Sequence, residues 1–126
     1  MKAGPPRVLI DTNLWVAFLR ATNPAMQELL REDFIATHSC VIGELFVGSL
    51  SKRPMMMEFM QSLPKVEEAE PLEALTLLER RNLWGRGLQW NDVLILASAK
   101  ISNVKLWTLD KRLAQVAEKL GVAWSA

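Results

Sequence analysis

Cysteine and histidine are almost missing from this 126-residue chain, which has one of each, Cys40 and His38, and no tyrosine. A lone cysteine forms no intrachain disulfide, so the disulfide-stapled secreted scaffolds are excluded. One thiol and one imidazole also cannot supply the four ligands of a structural zinc site. No apolar run approaches the ~20 residues that span a bilayer, and the opening MKAGPPR has no apolar stretch of the kind a secretory leader needs. The expected setting is therefore the cytoplasm, away from membranes. An excess of one charge is lacking too. Fifteen basic and 14 acidic residues leave a net +1, which by itself argues neither for nor against nucleic acid. What the chain does have is apolar substance: 50% hydrophobic against 23% charged residues, enough for a packed core. The length fits one domain over residues 1–126.

No internal repeat or low-complexity tract interrupts the chain. Residues 1–6 read as a flexible lead-in, because Gly4-Pro5-Pro6 cannot join a helix interior. After them, short apolar runs alternate with helical periodicity. Val8-Leu9-Ile10 is a continuous apolar run, the mark of a strand buried on both faces. Further strands are expected at 34–37, around Val66, at 104–108 and at 122–124. Helices are expected at 14–20, 24–31, 39–50, 54–62, 72–83, 93–101 and 111–120. Asn23 would cap the second helix, with Pro24 at its first position, and Gly85-Arg86-Gly87 would break the chain after the fifth. Strands separated by helices imply right-handed crossovers, hence an α/β fold: a three-layer α/β/α sandwich with a short, mainly parallel central sheet. Such sheets carry their sites beyond the carboxyl ends of the strands.

Four acids stand in unusual places. Asp11 follows Val8-Leu9-Ile10, and Asp110 comes shortly after Lys105-Leu106-Trp107-Thr108. In a parallel sheet both would lie at one edge, and each could also cap the helix that follows. Glu44 shares its helix face with Cys40, Val41, Val47 and Gly48, a face expected to be buried. Asp92 is followed at helical spacing by Ile95, Leu96 and Ala99. A buried carboxylate costs several kcal/mol unless a positive charge meets it. The plain alternatives are an arginine across the core for Glu44 and a helix cap for Asp92, with Asn91 as a rival cap. Together the four can converge at one end of the sheet, where they would repel one another. A divalent cation removes that conflict, and an all-oxygen donor set suits Mg²⁺ or Mn²⁺. The chemistry of such a cluster is hydrolysis of a phosphodiester by metal-activated water, with one ion or two.

At these residues the chain resembles the PIN-domain ribonucleases, and within them the VapC toxins of toxin–antitoxin pairs. The resemblance lies in VLIDTNLWVAFLR (8–20), SCVIGELFVGSL (39–50), RGLQWNDVLILASA (86–99) and LWTLDKRLAQVA (106–117), which occur in family order and cover most of the chain. It implies that Asp11, Glu44, Asp92 and Asp110 are catalytic, metal-binding acids, that Asn13 and Thr108 are polar supports beside them, and that the fold is the family's α/β/α sandwich. It further implies an Mg²⁺- or Mn²⁺-dependent endoribonuclease acting as a toxin, a homodimer, and a VapB-like antitoxin whose helix lies in an apolar groove with a basic side chain reaching the acids. Many members have an aromatic residue three positions after the last acid; Leu113 stands there instead. A haloacid-dehalogenase-type phosphatase would need a second Asp at position 13, and a response-regulator receiver an acidic neighbour for Asp11; neither is present. The alternative from another class is a non-catalytic protein-interaction domain that keeps the fold.

Neutralising the four acids leaves 15 basic residues against ten acidic ones, and six of those ten fall between Glu58 and Glu79. Arg20, Lys52, Arg53, Arg80, Arg81, Arg86, Lys111 and Arg112 are the candidates to hold RNA phosphates, with Arg86, Arg20 and Arg112 foremost. Solvated surface is the ordinary role of any one of them. Trp15, Trp107 and Trp124 read as core, whereas Trp84 and Trp90 flank the glycine break and would stack a base or pack against a partner. Met55-Met56-Met57 with Phe59 and Met60 is a soft apolar stretch, suited to a partner or to the core. His38 and Cys40 have no companion for nucleophilic catalysis and read as structural.

Overall fold

The computed structural model describes residues 7–125; the lead-in expected over 1–6 lies outside them. The elements run β1 (Val8–Ile10), α1 (Thr12–Arg20), α2 (Pro24–Arg31), β2 (Ile35–Ala36), α3 (Ser39–Val47), α4 (Arg53–Ser62), α5 (Pro71–Arg80), α6 (Trp90–Ser102), β3 (Lys105–Trp107) and α7 (Lys111–Lys119). The three strands form a parallel sheet in the order β2-β1-β3. β1 is the middle strand, which is why all three of its side chains are apolar and buried. Its register is Val8 opposite Ile35 and Lys105, with Leu9 opposite Ala36 and Leu106.

Two expected strands shrink to single bridges, Lys65 beside Thr37 and Ala123 beside Leu106. Around Val66 the reason is visible. The next amides are taken by side-chain hydroxyls, Glu67 N–H donating to Ser102 Oγ (2.8 Å) and Ala69 N–H to Ser98 Oγ (2.9 Å), so the ladder ends.

Helix limits follow their caps. Asn23 caps α2 as expected, accepting from Met26 N–H (3.1 Å). α3 stops at Val47 rather than 50. Gly48 is extended there, and the Arg53 guanidinium donates to the carbonyls of Phe46 (2.7 Å) and Gly48 (3.0 Å) while lying over the Phe46 ring. Arg53 is thus a structural cap and not a free surface cation. α5 ends at Arg80 rather than 83, where Asn82 turns left-handed. α6 starts three residues before the expected 93. Gln89 is its N-cap, its N–H donating to the carboxylate of Asp92 (2.9 Å). Neither Asn91 nor Asp92 is the cap residue.

One core joins the sheet to its helices, and α6 buries every residue from Val93 to Ala99 except Leu94. Small residues, Ala69, Ala74 and Ala97 with Val93, let α5 approach α6. Trp15 is fully buried, edge-on to Phe18 and Phe59. Trp107 and Trp124 are half-buried and stack on each other at 4.1 Å, at the sheet edge rather than in the core. His38 and Ser98 make a buried polar link between α3 and α6. His38 Nδ1 accepts from Cys40 N–H (2.9 Å), which leaves Nε2–H to donate to Ser98 Oγ (2.9 Å). The Ser98 hydroxyl in turn donates to Leu94 C=O (2.7 Å). His38 thus serves the packing of α3 on α6, in keeping with its lack of a catalytic partner.

Candidate active site

Because β1 and β3 are parallel and adjacent, both discharge their following residues at one edge. The ladder runs one step past β1, Asp11 N–H donating to Trp107 C=O (3.0 Å), so Asp11 is fixed at that edge and is only 7% exposed. A polar clamp holds its side chain. Thr108 Oγ donates to Asp11 Oδ2 (2.6 Å) and accepts from Asn13 Nδ2 (3.2 Å) and from Asp110 N–H (3.1 Å). Leu109 N–H donates to Asn13 Oδ1 (3.1 Å), which fixes the amide, and Asn13 Nδ2 also reaches Asp11 Oδ2 at 3.4 Å. Asn13 and Thr108 thus both bond to Asp11, and through them α1 sets the loop that leads to Asp110.

The acids also serve their helices. Asp11 caps α1 through Thr12 N–H (2.8 Å), and Asp110 caps α7 through Arg112 N–H (2.9 Å) and Leu113 N–H (3.2 Å). Glu44 comes from α3, but not from a buried face: Glu44, Gly43 and Gly48 are exposed, and Val47 is 89% exposed. The expectation of a buried face fails because α3 borders an open groove.

Electrostatics tie the four together. Although its face is open, partial desolvation raises the Glu44 carboxyl above its usual range, against a hydrogen bond from Asn91 Nδ2 (3.4 Å), and the negative charges of Asp11 and Asp92 raise it further. Burial also raises Asp92, against the bond from Gln89 N–H, with Asp11 and Asp110 adding to the rise. Among the described residues no Lys or Arg forms an ion pair with any of the four. They are not, however, a closed cage: among the described residues no three His, Cys, Asp or Glu side chains are gathered for a cation. Each carboxylate leans instead on a nearby N–H or amide, as like charges without a counter-charge must. The donor set, all carboxylate oxygen with mutual repulsion, fits a hard divalent cation.

Comparison with known proteins now decides the family. The model described as PIN domain matches residues 8–119. This chain belongs to the PIN-domain family. As a PIN domain it is 38% identical over 117 residues to Ribonuclease VapC32 of Mycobacterium tuberculosis, in strain CDC 1551 / Oshkosh and in strain ATCC 25618 / H37Rv, covering 92% of this chain and 94% of that protein. Its fold is similar to the crystal structure of PAE2754 from Pyrobaculum aerophilum, with a TM-score of 0.62 over 92% of this chain and 96% of that one, at 16% identity.

Two grooves meet Glu44 of this PIN domain. The larger, of ≈ 820 Å³, is lined by Val16, Leu19, Leu45, Leu50, Met55, Met56 and Phe59, with Glu44, Arg20 and Lys52 on its border. The methionine stretch divides there, Met55 and Met56 facing the groove while Met60 is fully buried in the core. The second, of ≈ 450 Å³, is lined by Cys40, Gly43, Glu44, Val47 and Asn91. Asn91 is the site residue that sequence reasoning assigned only to a cap; it links Cys40 Sγ and Glu44. The expected phosphate-binding cations do not gather in one place. Arg20 lies on the large groove, Arg80 and Arg81 lie between α5 and α6, and Arg86 and Arg112 share a third cleft. Trp84 and Trp90 are exposed, at 57% and 43%.

Proposed function

We propose that this PIN domain is a divalent-cation-dependent endoribonuclease, the toxin of a toxin–antitoxin pair. The observation that carries the reading is the edge where Asp11, Glu44, Asp92 and Asp110, drawn from distant segments, repel one another, with no Lys or Arg paired to them among the described residues. Its similarity to Ribonuclease VapC32 supplies RNA as the substrate. The four acids would hold Mg²⁺ or Mn²⁺, which when bound activates water and neutralises charge developing on a phosphodiester. The chain's own part is positional. Thr108 and Asn13 aim Asp11, Asn91 aims Glu44, and the N–H groups of Gln89 and Arg112 aim Asp92 and Asp110.

The large groove fits an antitoxin segment with apolar side chains, whose basic residue would meet Glu44. The same reading carries a homodimer and a cytoplasmic setting; among the described residues no helix is long and apolar enough to cross a membrane.

Cleavage of RNA by purified protein tests the reading. Asp11→Asn and Asp92→Asn should each abolish cleavage with the fold retained, and excess EDTA should stop the wild type. Equal cleavage in EDTA would overturn the metal dependence. A folded protein that cuts no RNA with either ion would instead be a binding domain.

A further inference from the structure

α7 places polar residues along one face. Arg112, Gln115 and Lys119 stand at i, i+3 and i+7, with Val116 beside them, while Leu113, Ala117 and Leu120 turn into the core. Opposite this face lies the turn at residues 84–87. Between them is a cleft of ≈ 140 Å³ lined by Arg86, Arg112, Gln115, Val116 and Lys119. Three of these five are cations and none is an acid. Among the described residues, none of the three cations has an ion-pair partner.

The cleft is shaped by its backbone. Arg86 Nε donates to Asn82 C=O (3.0 Å), which holds the guanidinium and leaves its terminal N–H groups for other acceptors. Arg112 lies against Gly87, where a Cβ would stand 2.7 Å from Arg112 Nη1; with φ +81°, that position favours glycine on both counts. The cleft starts at the acidic edge, since Arg112 N–H is bonded to Asp110 Oδ1 (2.9 Å). From Arg112 to Lys119 it follows α7 for about 10 Å. Gathered positive charge of this kind is attractive to an anion whose oxygens accept from a guanidinium fork.

We propose that this cleft is a phosphate subsite, taking a backbone phosphate of the RNA strand that flanks the one at the acidic edge. The assignment of RNA rests on the ribonuclease reading above. Arg86 and Arg112 grip the phosphate oxygens and Lys119 adds a point charge, so the contact positions the strand without reading its bases.

Fluorescence anisotropy of a fluorescein-labelled oligouridylate, titrated in EDTA over a range of salt, tests this without cleavage. Arg86→Ala, Arg112→Ala and Lys119→Ala should each raise Kd about three- to tenfold and flatten the slope of log K against log salt by about 0.7. Arg112→Lys should keep the slope, and Arg31→Ala, whose guanidinium already pairs with Glu28, should change neither. With Mn²⁺ present, Lys119→Ala should raise KM with kcat nearly unchanged. Wild-type Kd and slope in all three alanine variants, or no binding of the oligouridylate by the wild type, overturns the subsite. So does loss of affinity for an antitoxin while RNA affinity stays, which would give the cleft to a protein. If the variants bind weakly as expected but the wild type cuts nothing with Mn²⁺, the subsite stands and the ribonuclease reading falls. If the wild type cuts and the variants match it in binding, the reverse holds.

Discussion

Thr108 uses its hydroxyl three ways, donating to Asp11 and accepting from Asn13 and Asp110, so nothing of its hydrogen-bonding capacity is left over. A valine of the same shape would leave Asp11 without that donor. Thr108→Val and Asn13→Ala should each weaken Mn²⁺ binding or cleavage about 10- to 100-fold, the usual effect of losing a group that orients a metal ligand. Calorimetric titration of Mn²⁺ into the two variants measures it. At this scale much of the site was legible. Asp11 and Asp110 stand out because a carboxylate directly after an apolar run has few reasons to be there. Glu44 was picked out by a premise that fails, since its helix face is open; what ties it to the acidic edge is the charge of Asp11 and Asp92. Asn91 was hidden because a polar residue at a helix start is ordinary in sequence, and only the fold sets it against Glu44.

Among the elements, α3 and α6 are joined by the buried hydroxyl of Ser98, which serves His38, Ala69 and Leu94 at once. Ser98→Ala orphans two buried donors, His38 Nε2–H and Ala69 N–H, and should lower stability by roughly 2–3 kcal/mol. Urea denaturation, with its midpoint moved and its slope unchanged, would show this. Because α3 carries Glu44 and α6 carries Asp92, the link also sets the spacing of two acids. Helix existence was legible from apolar period and caps, as Asn23 before Pro24 illustrates. Helix ends were less so, since the end of α3 depends on Arg53, a residue of the next helix. The strand foreseen at Val66 failed for a related reason: pairing needs unengaged amides, and periodicity does not report which hydroxyls will claim them. The convergence of Arg86, Arg112 and Lys119 was likewise beyond pattern, because it depends on the path of a glycine turn.

At the scale of the whole molecule, stability should depend on metal and on pH. A ligand at 100 times its Kd adds about 2.7 kcal/mol to the folded state, so saturating Mn²⁺ should raise Tm by roughly 8–12 °C. Asp92→Asn should lose most of that rise in a thermal melt. The pH dependence has two opposed parts. Burial lowers the His38 pKa below its usual 6.5, with the Glu68 charge only partly opposing. The unfolded chain therefore takes up a proton before the folded one does, and stability is full above about pH 6.5 and falls as pH drops from there toward the lower folded value. Glu44 and Asp92 act the other way. Their folded pKa values are raised, so their contribution is full below their usual values and is lost as pH rises through the raised ones. His38 is the sole histidine. In metal-free protein, His38→Asn, which keeps a capping acceptor, should remove the loss of Tm between pH 7 and about 5.

The clamp between Asp11 and Thr108 joins residues 97 positions apart, and β1 waits for β3 before its central ladder is whole. Contacts so distant along the chain form late. A nascent polypeptide that has not yet reached Thr108 thus lacks the hydroxyl that holds Asp11, and the acidic edge cannot be completed piecemeal. If the proposed ribonuclease reading holds, chains that end before Thr108 lack both the clamp on Asp11 and Asp110 itself, and should cut no RNA.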